Sequence, residues 1–354
     1  MAAGRYLIVG QGLAGTLLGY RLERAGAEVH YVDAPGQTAA SAVAAGIINP
    51  ITGRRFVRSW RIGELLPAAR RCYTELAERL GQPLYYDLPL VRTLYNRGDE
   101  NDWLARSADP GYADYLDDEP ALGRLPELTR PAYAYAGVRH SARVDVGGLV
   151  TAYRARLVAE GRFTAAAFDY STLLLPPGRP ARYQGADYDR VVFCEGWRAR
   201  RNPWFAYLPH GGNKGEVLSV TTDAPLLDRM FKHRVFLVPR TDRNDYWIGA
   251  TSENRFPDDA PTAAGRRFLE QRLAEVLTIP FTVTDHRAAV RPTVRDRRMF
   301  LGTHPADGRL AIFNGLGTKG ASLAPLGSDW LARHLLAGAP LPVEVDIRRF
   351  APPG

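Results

Sequence analysis

The chain has 354 residues, 45% hydrophobic and 24% charged, and carries only two cysteines, Cys72 and Cys194. That is the composition of an ordinary globular chain long enough for two domains, and it excludes a disulfide framework and a four-thiolate metal centre. The formal net charge of +8 comes from scattered arginines rather than a block of like charges, so we read it as a solvated surface in preference to a tRNA-binding face.

In chain order, Arg5–Val9 reads as a buried parallel strand, Thr16–Ala25 as a helix stopped by Gly26, and Glu28–Val32 as a second strand ending at Asp33. Together they make a βαβ start. Glycines 10, 12 and 15 interrupt the first apolar run, which argues against an export signal. No stretch approaches the roughly 18 apolar residues of a membrane span, and the low cysteine count makes a reducing cytoplasm the expected location. A helix over Gly63–Leu80 closes at Gly81. Residues 85–140, rich in Tyr, Pro and Asp, read as an inserted region facing a substrate. Next come a helix over Asp145–Glu160 and a buried strand over Asp189–Cys194. Strands are expected at Val217–Thr221, Val235–Val238 and Tyr246–Ala250, and a helix at Thr262–Leu277. A short strand at Leu310–Phe313 leads through a Gly-rich turn to a helix over Ser322–Leu336, stopped by Gly338.

The pattern predicts an α/β fold with a Rossmann-like dinucleotide-binding domain, of the glutathione-reductase type where the dinucleotide is FAD, and a discontinuous antiparallel-sheet substrate domain. The expected division is 1–84, 141–205 and 287–354 for the cofactor, with 85–140 and 206–286 for the substrate.

Gly10-Gln11-Gly12-Leu13-Ala14-Gly15 has the dinucleotide-binding spacing between a strand and a helix. Gly10 permits the tight turn, Gly12 lets backbone approach a pyrophosphate, and Gly15 lets helix and strand pack closely. The helix N-terminus turns free N–H groups and a positive dipole end toward the phosphates. Asp33, followed by Ala34, ends the second strand, where a carboxylate accepts from the ribose hydroxyls and repels a 2′-phosphate. The fingerprint alone does not separate NAD from FAD. Two other segments favour FAD. Ser41–Pro50, with Ala45, Gly46 and Ile47, is rich in small residues that let backbone lie against a large flat ligand. Gly315-Leu316-Gly317-Thr318-Lys319-Gly320 is a second Gly-rich strand-to-helix turn, an anion site suited to the N1–C2=O edge of a reduced flavin.

On these segments the chain resembles the D-amino-acid oxidase superfamily, the group that includes glycine and sarcosine oxidases. Further matches are Ser41–Gly46, the strand end Val191–Trp197 with Cys194, Glu195, Gly196 and Trp197, the hairpin Phe236–Arg240 with Ile248–Thr251, and Ala289–Thr293 followed by Asp296 and Gly302. The resemblance implies non-covalent FAD, with Phe168 among its contacts. It further implies oxidation of the C–N bond of an amino acid or secondary amine by hydride transfer to flavin N5. Arg291 takes the position of an arginine that clamps the substrate carboxylate. Lys319, at the mouth of the second turn, is the candidate for assisting the reduced flavin or its reaction with oxygen. The C-terminal turn is also similar to the FAD half of bifunctional tRNA wobble-uridine modification enzymes, which makes a tRNA side-chain modifying flavoenzyme the alternative. Phe236 stands where a substrate-contacting tyrosine is usual in glycine oxidase relatives. Arg54 and Arg55 read as a solvated turn or as groups recognising an acidic substrate. His210, His286 and Lys214-Gly215-Glu216 read as structural, and Cys72 as core.

Overall fold

The computed structural model describes residues 4–117, 121–123, 129–223, 228–240 and 244–350. Parts of the expected insertion 85–140 and of 206–286 lie outside these. The secondary structure assembles into two large sheets and several short ones.

The first large sheet has six strands, in the order Phe163–Ala165, Glu28–Asp33, Arg5–Val9, Arg190–Phe193, Asp307–Asn314 and Phe300–His304. Its first five strands run parallel, and the last pairs antiparallel. Strand 5–9 is apolar on both faces because both are covered. Tyr6 and Ile8 pack into a cluster with helices Leu13–Arg24, Ile62–Leu80, Val146–Ala159 and Gly320–Ala337. Leu7 and Val9 pack on the opposite face with Val191, Phe193, Phe205 and Ile312. Helices 62–80 and 320–337 both end at a glycine in the left-handed conformation, Gly81 (φ 67°) and Gly338 (φ 67°). Helix 146–159 begins where Asp145 accepts from the Gly148 N–H at 3.1 Å, a cap worth about 1 kcal/mol.

The second large sheet has eight strands, in the order Phe281–Val294, His210–Thr222, Asp245–Gly249, Phe236–Pro239, Met230–Lys232, Leu90–Leu94, Ala132–Val138 and Ala121–Gly123. All neighbours are antiparallel except Met230–Lys232 with Leu90–Leu94. The 85–140 segment thus contributes three strands to this sheet, Leu90–Leu94, Ala121–Gly123 and Ala132–Val138. It also contains a helix, Arg97–Ser107, capped by Asn96, that periodicity does not reveal. Only Trp103 of that helix is buried, so it carries no apolar stripe. The expected boundary before residue 287 falls inside strand Phe281–Val294, which pairs with His210–Thr222 along its length. Ser41, expected in a segment with few helix signals, lies in a single helical turn, Ala40–Val43. Among the described residues no helix is long and apolar enough to cross a membrane.

Candidate active site

A cavity of about 930 Å3 is lined from both large sheets. That is near the upper end of the roughly 300–1,000 Å3 of small-molecule sites. Every expected site residue lines it except Gly15, Gly315 and Lys319.

At the nucleotide end, Gly10 turns at φ 95°, and a Cβ there would meet the Cys194 carbonyl oxygen at 2.5 Å. A Cβ on Gly15 would meet the Gly10 carbonyl oxygen at 2.1 Å, so Gly15 works by close packing rather than by facing the cavity. The Leu13 N–H at the helix start donates to Ser41 Oγ at 2.9 Å, which ties the fingerprint to the small-residue segment. Gln11 is fully buried and donates to Thr16 Oγ1 at 2.8 Å and to the Val150 carbonyl at 3.2 Å. Arg154 donates to Gln11 Oε1 at 2.6 Å and also to Asp33 Oδ2. Arg154 escapes motif reading, but Val146, Val150 and Arg154 recur every four residues on one helix face, and all three line the cavity. Glu195 is held by the Tyr170 hydroxyl and by Asn202 Nδ2 at 2.8 Å, and burial pushes its carboxyl above the ordinary range. Phe168 stacks on Tyr183 with centroids 4.4 Å apart.

The Gly-rich turn at the other chain end is pinned by three hydrogen bonds. Asn314 Nδ2 donates to the Gly196 carbonyl at 2.8 Å, Gly315 N–H to Asn314 Oδ1 at 2.8 Å, and Gly317 N–H to the Pro292 carbonyl at 2.9 Å. Gly315 turns at φ 76°, with the Val294 side chain 2.5 Å from where a Cβ would sit. The Lys319 side chain does not line the cavity. Its Nζ donates to Thr52 Oγ1 at 3.2 Å and Ser59 Oγ at 3.0 Å. Arg54 and Arg55 are exposed on the neighbouring turn and do not line the cavity.

The floor of the other end of the cavity is the eight-stranded sheet. Along strand 210–222 the cavity is lined by Asn213, Gly215 and Val217, the residues of one face. The alternate residues Lys214 and Glu216 are buried on the other face, where Glu216 accepts from Thr262 Oγ1 at 2.8 Å and pairs with His286 at 2.9 Å. His286 therefore serves the packing of helix Ala263–Ala274, and His210 binds the Phe205 carbonyl at 2.9 Å. Cys72 is buried, and burial pushes its thiol up to about 11.

Arg291 reaches the cavity from the paired strand. It donates to Asn213 Oδ1 at 2.6 Å and to the Thr251 carbonyl at 3.3 Å. Among the described residues no carboxylate lies within ion-pair distance of it; Asp296 pairs instead with Arg349. Burial alone lowers its guanidinium below the ordinary value. Trp247 closes the same end, donating from Nε1 to the Val43 carbonyl at 2.8 Å, with Phe236 and Ala289 adding apolar wall.

A dinucleotide fits this arrangement. A glycine-lined helix N-terminus, the Asp33 carboxylate and the second Gly-rich turn all open on one continuous cavity, while the Arg291 end is left for a small anion.

The family model described as "FAD dependent oxidoreductase" (DAO) matches residues 5–334. Glycine oxidase of Bacillus subtilis (strain 168) is 29% identical over 123 residues, a match spanning 34% of this chain and 32% of that relative. The crystal structure of glycine oxidase from Geobacillus kaustophilus superposes with a TM-score of 0.81 at 22% identity, covering 98% of each chain. Iminodiacetate oxidase from Chelativorans sp. BNC1 gives a TM-score of 0.76 at 23% identity, covering 98% of this chain and 99% of that one.

Proposed function

Because this chain belongs to the DAO family of FAD-dependent oxidoreductases, we propose that it oxidises the C–N bond of an amino acid or a secondary amine bearing a carboxylate. The observation that carries this reading is Arg291, a half-buried guanidinium in the cavity whose hydrogen-bond partners are both neutral. A partly desolvated cation without a counter-ion loses hydration that an incoming carboxylate recovers through paired charge-assisted hydrogen bonds.

FAD, when bound, supplies the two-electron acceptor for the hydride leaving the carbon next to nitrogen. The protein's part is to position the substrate and keep water out. Asn213 and the Thr251 carbonyl hold the Arg291 fork in one orientation, and Gly215 leaves room for it. Trp247, Phe236 and Ala289 line the substrate end with apolar surface, which strengthens the Arg291 charge there. Lys319 is a positioning residue in this scheme, tying the second turn to Thr52 and Ser59.

Anaerobic mixing of the FAD-loaded protein with a panel of amines and amino acids tests the reading. Bleaching of the flavin absorbance by a carboxylated amine is expected. A flavin that no member of the panel reduces overturns the proposal.

A further inference from the structure

Among the cations lining the cavity, Lys232 is one that the proposed oxidation does not use. Lys232 lies at the end of strand Met230–Lys232 and lines the same cavity as Arg291. Its ammonium sits 4.5 Å from the centre of the Phe236 ring, itself part of the apolar wall. An ammonium has three donors, and the acceptor it reaches among the described residues is the Arg234 carbonyl at 3.0 Å.

Arg92 stands beside it. The strands Leu90–Leu94 and Met230–Lys232 run parallel with Arg92 opposite Lys232. The Arg92 guanidinium packs 4.4 Å over the Phe56 ring and donates to the Gly53 carbonyl at 3.3 Å, while its Nε is buried with no partner. Neither cation has a carboxylate within ion-pair distance among the described residues. Burial and the mutual repulsion of the pair push the Lys232 ammonium down to about 8, and burial pushes Arg92 down to about 10.

Two like charges packed side by side in a partly dry wall destabilise the fold unless something negative meets them. Surface lysines are normally turned into water, whereas this one is turned into the substrate cavity. We propose that Lys232, backed by Arg92, is a second anion subsite, and that the substrate is an amine carrying two acidic groups, one held by Arg291 and the other by Lys232. The inference rests on the Arg291 reading and extends it from one carboxylate to two.

Two pairs of compounds test it on the FAD-loaded protein. Methylthioacetate and thiodiglycolate replace the reacting nitrogen by sulfur and carry one and two carboxylates, so their dissociation constants are read from the flavin difference spectrum without turnover. N-methylglycine and iminodiacetate are the corresponding amines, read by anaerobic flavin reduction. Thiodiglycolate is expected to bind about tenfold or more tighter than methylthioacetate. In Lys232→Met that ratio is expected to fall to about one, and Lys232→Arg is expected to retain it. Where Lys232→Met does not hold FAD, Lys232→Gln serves, with the same expected fall. Equal binding of the two thioethers by the unaltered protein, or an unchanged ratio in the Met or Gln variant, overturns the subsite. If no amine of the panel, these two included, bleaches the flavin while the thioether ratio behaves as stated, the oxidation reading fails and the subsite stands.

Discussion

Arg291 and Asn213 meet at 2.6 Å across two paired strands, each supplying what the other lacks: Asn213 gives an oxygen without a charge, and Arg291 keeps its charge unneutralised. An aspartate at 213 would supply an internal counter-ion in place of the substrate. Asn213→Asp is therefore expected to raise KM for carboxylated substrates at least about tenfold, with the flavin spectrum little changed. Steady-state kinetics on both proteins checks it, and an unchanged KM would remove Arg291 from substrate recognition.

Truncating the arginine itself is a harsher test. Arg291→Ala removes the shorter of the two hydrogen bonds to Asn213 Oδ1, leaving the one from Ser252 Oγ at 3.3 Å, and leaves the substrate carboxylate without its partner. The expected loss in kcat/KM is about 2–4 kcal/mol, a factor of roughly 30 to 1,000. FAD content, measured by absorbance after purification, should not follow it.

Gly215 separates a functional from a structural effect. A Cβ there would stand 2.0 Å from Arg291 Nη2 and 2.3 Å from its Cζ. The obstructed atoms are the tip of a flexible side chain, so the guanidinium swings aside and the strand survives. Gly215→Ala is expected to lower kcat/KM by about ten- to a hundredfold while the melting temperature stays within a few degrees. A large drop in melting temperature would show that the strand, not the arginine, absorbs the clash.

Gly15 is the opposite case. The atom a Cβ would strike is the Gly10 carbonyl oxygen at 2.1 Å, which is backbone within the fingerprint turn. Nothing there yields cheaply. Gly15→Ala should cost about 1–3 kcal/mol or more and purify without yellow colour. A variant that binds FAD normally would show that the turn tolerates a shift.

These contrasts explain what could be read from residues alone. The nucleotide end is local: Gly10, Gly12 and Gly15 lie within one turn, Asp33 one strand later, and the pattern of a strand, a tight turn and a helix is written in consecutive residues. The substrate end is not. Arg291 and Asn213 are 78 positions apart and meet only through strand register, so no spacing rule names Asn213. Strand Phe281–Val294 is hard to read because its alternation lasts only over residues 281–284, and Ala288–Val290 are then buried in a row. Lys319 drew attention through its place in a Gly-rich turn, yet a turn sets the backbone and says little about where a long side chain goes. In the fold it points to Thr52 and Ser59.

The ammonium of Lys232 makes the second subsite dependent on pH. Arg92 faces it from the neighbouring strand and Phe236 from the other side. On its own segment His233, lowered by burial below its ordinary value, is neutral near pH 8, and Arg234 adds positive charge that lowers His233 further. Burial, then Arg92, bring Lys232 to about 8 from its ordinary 10.5. Below about pH 8 the group is charged and attracts the second carboxylate; above it the free protein carries a neutral amine, and binding the anion must first recover a proton. The tighter binding of thiodiglycolate over methylthioacetate should therefore be full at pH 6–7 and shrink as pH rises past about 8, while the arginine end keeps its charge throughout. Flavin difference titrations at pH 6.5, 8 and 9.5 check this. A ratio that stays flat across that range in the unaltered protein and persists in Lys232→Met would place the second carboxylate elsewhere, whereas a flat ratio that Lys232→Met abolishes would show that Lys232 stays protonated throughout.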